Sequence, residues 1–168
     1  MISIRKIKKN DLKGPAFGAL APKHGIFQLS QKVDYGLFLL IELAKAGSKE
    51  PLSLRNIAEN NRMSFFFMQK VANDLRNASL ITSTRGKLGG YVLAKSGSEI
   101  TLKDILEALE GPVAVMHCLT HEVGTQSCVR ENSCTVRPGL TAINQILLKA
   151  LTKTTLENLI TSSWKKTV

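Results

Sequence analysis

Long apolar runs are missing from this 168-residue chain. Nothing approaches the roughly 18 consecutive apolar residues that a membrane-spanning helix needs, which excludes that class. The N-terminus also lacks the apolar stretch of about 7–15 residues that a signal peptide carries, so the cytoplasm is the expected compartment. Cysteine is scarce: there are three, an odd number, and all lie within one 17-residue stretch. Without an export signal such thiols are expected in a reducing compartment, where they hold metal or react rather than form staples. Acidic residues are in deficit, 13 against 23 Lys plus Arg, for a net charge of +10. The length is too short for a large α/β enzyme and fits one domain, or one domain and an arm. What is present, 43% apolar and 21% charged residues, is the composition of a globular chain with a real core.

The positive charge is unevenly placed. Residues 1–25 carry six basic residues and one acid, residues 26–97 ten and five, and residues 98–168 seven of each. The first two-thirds of the chain therefore presents the positive field, and nucleic acid is the leading partner for it.

Residues 1–25 combine Arg5, Lys6, Lys8 and Lys9 with Gly14-Pro15, Gly18, Pro22 and Gly25, and read as a basic, disordered arm. From Ser30 the pattern turns helical: Val33, Leu37, Leu40, Ile41 and Ala44 form one face of a helix that Gly47-Ser48 ends. Ser53 is placed to cap a short helix carrying Leu54, Ile57 and Ala58, which Asn60-Asn61 breaks. Ser64 caps a third helix with Met68, Val71, Ala72 and Leu75 as its core stripe. Two helices joined by about four residues have helix-turn-helix spacing. Leu80–Thr84, a basic glycine-rich turn, and Tyr91–Ala94 then form a hairpin. Three helices followed by a hairpin with a basic tip is a winged-helix layout.

Thr101 and Asp104 make a capping pair for a helix bearing Leu102, Ile105, Leu106 and Leu109, which Gly111-Pro112 stops. A final long helix is expected from near Pro138-Gly139, with Leu140, Ile143, Leu147, Ala150 and Leu151 as its stripe, and Thr154-Thr155 re-caps a short terminal segment. The expected fold is mostly α with a small β-hairpin wing. Its parts are the arm 1–25, a winged helix-turn-helix domain over 26–97, a linker helix over 98–116, a cysteine loop over 117–137, and a dimerisation helix and tail over 138–168.

A helix that enters the major groove needs short polar residues at its N-terminal end and a cation farther along its exposed face. The Ser64 helix supplies Ser64, Phe66, Phe67, Gln69 and Lys70. Gln bonds adenine bidentately, and Lys reaches guanine or phosphate. In the hairpin, Arg85 suits insertion into a narrow minor groove, and Thr84 and Lys87 suit phosphates. The turn Gly86–Gly90 is not a dinucleotide loop, because the fingerprint spacing and the helix that should follow are missing.

The cysteines read Cys118, Cys128 and Cys134, a C-x9-C-x5-C spacing with His117 and His121 alongside. These gaps are too wide for a zinc ribbon, whose paired ligands sit roughly two to four residues apart. Iron–sulfur clusters accept varied thiolate spacing. Zinc held by three Cys and a His, and a metal-free thiol switch, stay open as alternatives.

From about Ile26 to Ile160 the chain resembles the IscR/NsrR/RirA family of winged-helix transcription regulators. The resemblance is carried by Leu29-Ser30 with Val33–Gly36, the Ser64 helix, Ala78–Ile81, Arg85-Gly86 with Gly89–Tyr91, and Ile100 through Pro112. The stretch Leu109–Val115 with the three cysteines and Cys134–Arg137 looks most like the branch that regulates SUF iron–sulfur assembly genes. The resemblance implies a non-enzymatic repressor and a homodimer held by the long C-terminal helix. It implies an iron–sulfur cluster, [4Fe-4S] or [2Fe-2S], on Cys118, Cys128 and Cys134, and double-stranded operator DNA bound according to the cluster's state. No membrane partner and no small-molecule substrate are expected. The chain departs from the family pattern in four places: the first cysteine gap is longer, Arg137 stands where some members have a histidine ligand, Phe67 replaces a common tyrosine, and the first 25 residues match nothing in the family. Arg137 has no lone pair to offer a metal. Asp34, in the first turn of the first long helix, is the preferred fourth ligand, because some family members place an acidic ligand there that reaches the partner subunit's cluster.

Overall fold

The computed structural model describes residues 29–47, 50–84, 89–120 and 133–161. The expected arm, Arg85 and Lys87 of the wing, and His121 and Cys128 of the cysteine segment lie outside the described residues.

The first helix, α1 (Gln31–Ala46), begins where Ser30 accepts the Lys32 and Val33 amides at 3.1 and 3.3 Å. It ends at Gly47, whose φ of 80° suits a residue without Cβ. Its buried residues are Val33, Tyr35, Gly36, Leu39, Leu40 and Leu43, while Leu37, Ile41 and Ala44 of the expected stripe are only half-buried. The reason is that α1 is enclosed by the helices over 65–77, 102–110 and 156–160 and the strand over 90–93, so its core face is much wider than one stripe.

The short α2 (Leu54–Asn60) starts at Ser53 as expected, although the Ser53 hydroxyl makes no capping bond. Helix α3 (Phe65–Asn77) is capped by Ser64, which accepts the Phe67 amide at 3.4 Å, and buries Met68, Val71, Ala72 and Leu75. In the turn between them, Met63 donates its amide to the Ala58 carbonyl at 2.8 Å, and Arg62 sits in the left-handed region at φ 55°. Asn61 stabilises the same turn by donating its side-chain amide to the Ile57 carbonyl at 2.8 Å.

Strands β1 (Ile81–Thr84) and β2 (Gly90–Leu93) pair antiparallel with Ile81 opposite Leu93 and Thr84 opposite Gly90. Leu52, just before α2, adds a bridge on the other edge of β2, exchanging backbone bonds with Tyr91 at 2.9 and 3.0 Å. A Cβ at Gly90 would collide with the Leu52 backbone, so this close approach requires glycine.

Helix α4 (Leu102–Glu110) carries the expected capping box, in which Thr101 Oγ1 accepts the Asp104 amide and Asp104 accepts the Thr101 amide, both at 3.1 Å. Partial burial works to raise the Asp104 pKa. Hydrogen bonds from Thr101 and the charges of Lys95 and Lys103 outweigh it and hold the carboxyl below its ordinary range. Beyond a short 3₁₀ turn at His117–Leu119 come α5 (Arg137–Lys153), with proline in its first turn, and α6 (Leu156–Ile160), capped by Thr155 with Asn158.

One core holds these elements together. Ile105, Leu106 and Leu109 of α4 and Leu156 of α6 are buried with Leu39, Leu40, Met68 and Leu75. Each such side chain contributes about 1.5–3 kcal/mol on burial. Helix α4 packs against α1 and α3, and α6 packs against α1 after α5.

Candidate nucleic-acid interface and cysteine segment

The exposed face of α3 is built by the same periodicity that buries its stripe. Phe66, Gln69, Lys70 and Asn73 are exposed, with Arg76 farther along donating to Asn73 Oδ1 at 2.8 Å. The three consecutive phenylalanines have three different surroundings. Phe65 is half-buried beneath the Arg55 guanidinium, which lies 4.7 Å from the ring centroid. Phe67, grouped from sequence with the DNA-facing residues, turns the other way and meets Tyr35 edge to face at 4.8 Å. Phe66 alone points outward, 76% exposed. Tyr35 also accepts the Ser64 amide at 3.1 Å, so a hydroxyl on α1 fixes the start of α3. Thr84 lies at the described end of β1, where its hydroxyl and Gly90 bond each other across the hairpin at 3.3 and 3.4 Å.

Arg55 escaped the sequence reading. Its only signal is its position on α2 one helical turn before Glu59, which it approaches at 3.7 Å. A second group had no local signal at all. Ser30 donates to Glu110, and Lys32 donates to the Leu109 carbonyl while its ammonium lies 2.8 Å from Asp74 of α3. A Cβ on Gly36 would run into Leu109 Cδ1. The first turns of α1 therefore grip the last turn of α4 and meet α3 through Lys32 and Tyr35.

The cysteine segment starts seven residues beyond that grip. Cys118 lies in the 3₁₀ turn and Cys134 three residues before α5; both are half-buried and neither is in a disulfide. The Val115 amide donates to Asn144 Oδ1 at 3.0 Å, and Asn144 is the buried residue of α5. Asp34 is exposed on α1 and lines an open groove of about 750 Å³ with Leu29, Tyr35, Phe38 and the Asn61–Met63 turn. Among the described residues no three His, Cys, Asp or Glu side chains gather as a metal site.

The Rrf2 family profile, described as an iron-dependent transcriptional regulator, matches residues 29–162. The chain belongs to the Rrf2 family. The HTH-type transcriptional regulator CymR of Bacillus subtilis is 42% identical to this Rrf2 protein over 95 residues, 56% of this chain and 69% of that one. The HTH-type transcriptional regulator NsrR of Oceanobacillus iheyensis is 31% identical over 132 residues, 79% of this chain and 88% of that one. The solved structure of CymR, the global cysteine regulator of B. subtilis, has a TM-score of 0.64 at 33% identity and covers 82% of this chain and 98% of that one. T. potens IscR shares the fold, with a TM-score of 0.61 at 24% identity over 84% and 92% of the two chains.

The mostly helical body with a two-stranded wing is the winged-helix fold of Rrf2 regulators. Regulators of this family bind DNA and dimerise, and this Rrf2 protein is a transcription regulator rather than an enzyme. No helix among its described residues is long and apolar enough to cross a membrane.

Proposed function

We propose that this Rrf2 protein is a cytoplasmic homodimeric repressor whose hold on operator DNA depends on an iron–sulfur cluster bound by Cys118, Cys128 and Cys134. The observation that carries the reading is the placement of the chain's thiols. All three fall between α4 and α5, and Cys118 and Cys134 are free and half-buried, Cys134 three residues before the α5 start. Unbridged thiols without other structural work suit thiolate ligation. The cluster would supply reactivity toward iron, oxygen or sulfur status. The chain's own part is mechanical: Asn144 ties the segment to α5, and Ser30 and Lys32 tie the preceding helix end to α1 and α3. Asp34 is the fourth ligand in this reading, offered to the cluster of the second copy. DNA is read by Ser64, Phe66, Gln69 and Lys70 of α3, with Thr84, Arg85 and Lys87 on the wing.

The test is anaerobic purification with iron and sulfide analysis, an absorption spectrum, and operator binding with and without the cluster. A brown protein whose spectrum disappears in Cys118→Ala, Cys128→Ala and Cys134→Ala supports the reading, and a full spectrum in any of these removes that residue from the ligand set. Asp34→Ala should shorten cluster lifetime, and an unchanged lifetime, with loss in His117→Ala or His121→Ala instead, places the fourth ligand in the segment.

The similarity to CymR, named as a global cysteine regulator, favours a second reading: a cluster-free regulator of thiol or cysteine metabolism on the same scaffold. That protein would be colourless and would bind its operator equally well after chelation. Stoichiometric zinc would instead mark a zinc-stabilised module.

A further inference from the structure

Phe66 is the most exposed large apolar side chain among the described residues. It sits in the first turn of α3, three and four residues before Gln69 and Lys70, and so shares their face. Its neighbours explain why it stands out: Phe65 is occupied by Arg55, Phe67 by Tyr35, and Phe66 has a tilted ring contact with Phe65 at 5.9 Å between centroids. The N-terminal turn of a recognition helix is the part that meets base edges. Those edges in the major groove are donors and acceptors, with one apolar exception, the C5-methyl group of thymine. A ring left in water beside a glutamine and a lysine therefore has one matching partner in an unmodified duplex.

We infer that Phe66 is a specificity-determining residue that reads the C5-methyl of a thymine in each operator half-site. The inference rests on α3 being the DNA-reading helix. Gln69, one turn on, is the natural reader of an adjacent adenine, so the base pairs under this turn are A·T. The positive charge of Lys70 and Arg55 holds the backbone close enough for a methyl contact without specifying sequence.

The experiment selects an operator for the full-length dimer from an unmethylated random duplex pool. Dissociation constants are then measured by fluorescence anisotropy with each thymine replaced in turn by deoxyuridine, which removes only the methyl. At one position per half-site the wild type should lose about fourfold in affinity, the equivalent of one buried methyl. Phe66→Ala should bind the thymine site more weakly and show no further loss with deoxyuridine. Phe66→Leu, which keeps an apolar tip, should keep part of the sensitivity. Wild-type indifference to every methyl, or equal sensitivity in Phe66→Ala, overturns the inference while leaving the regulator intact. A gain confined to sites carrying 5-methylcytosine moves the methyl to that base and overturns the thymine assignment. A chain that selects no duplex at all overturns the DNA-reading role of α3 and this inference with it.

Discussion

Helices α1 and α5 are nearly equal in length, at 16 and 17 residues, and live in opposite surroundings. Helix α1 buries six residues against four neighbouring elements, and its apolar content is satisfied inside one chain. Helix α5 buries only Asn144, while Ile143 and Ile146 are 54% and 70% exposed. An apolar face of this kind is incomplete by itself, and in the proposed homodimer a second copy would complete it. Stability of the single chain therefore resides in α1 and its neighbours, and the proposed homodimer assigns assembly to α5.

The division predicts separable failures. Leu40→Ala, at a fully buried position of α1, should cost about 2–5 kcal/mol in chemical denaturation, the largest single effect expected. Ile146→Lys should leave the circular dichroism of the chain unchanged and weaken self-association about 100-fold in sedimentation, roughly 2.7 kcal/mol. A stability loss in Ile146→Lys as large as that of Leu40→Ala would erase the distinction between the helices.

Asn144→Leu tests the hydrogen bond that joins α5 to the segment before Cys118. Leaving the Val115 amide without its acceptor should cost about 1–3 kcal/mol, measured by denaturation and by faster amide exchange at Val115. The smallest effect is expected at the α4 cap. Thr101→Ala should cost about 1 kcal/mol at neutral pH. Asp104 has a lowered pKa in the folded chain, so its stabilising contribution is present above the ordinary carboxylate range and is lost as pH falls through the folded value. The acid limb of a stability–pH curve should accordingly flatten in Thr101→Ala.

Local chemistry made much of this fold legible. Ser64 and Thr101 were recognisable as caps, Gly47 and Gly111 as stops, and Met68, Val71, Ala72 and Leu75 as a stripe, because each signal lies within about one helical turn. The stripe of α1 was misjudged because a helix buried on most sides offers several equally apolar faces, and Leu39 and Leu43 belong to the one passed over. The grip of Ser30 on Glu110 joins residues 80 apart, and the Leu52–Tyr91 bridge joins two elements through backbone alone, so neither leaves a periodic trace. In the candidate site, the Ser64 helix was readable from its polar face. The separate surroundings of Phe65, Phe66 and Phe67 were not, because they depend on Arg55 and Tyr35 from other helices.

The return of the chain after α5 has a mechanical consequence. Leu102 donates its amide to the Thr154 carbonyl at 2.7 Å, Leu156 to Ile100 at 2.8 Å and Glu157 to Gly97 at 3.1 Å, which pins the C-terminal end of α5 to the winged body. That end is a fulcrum, and Asn144, about 15 Å away along the axis, is where the chain just before the cysteine segment is hydrogen-bonded to the helix. A displacement of about 1 Å at Asn144 tilts the helix by about 4° and moves its far end, about 25 Å from the fulcrum, by about 1.7 Å. Helix α5 is thus a lever hinged at its C-terminal end: Ile143, beside Asn144, moves about as far as the tie itself, and the Arg137 end, three residues from Cys134, moves farthest.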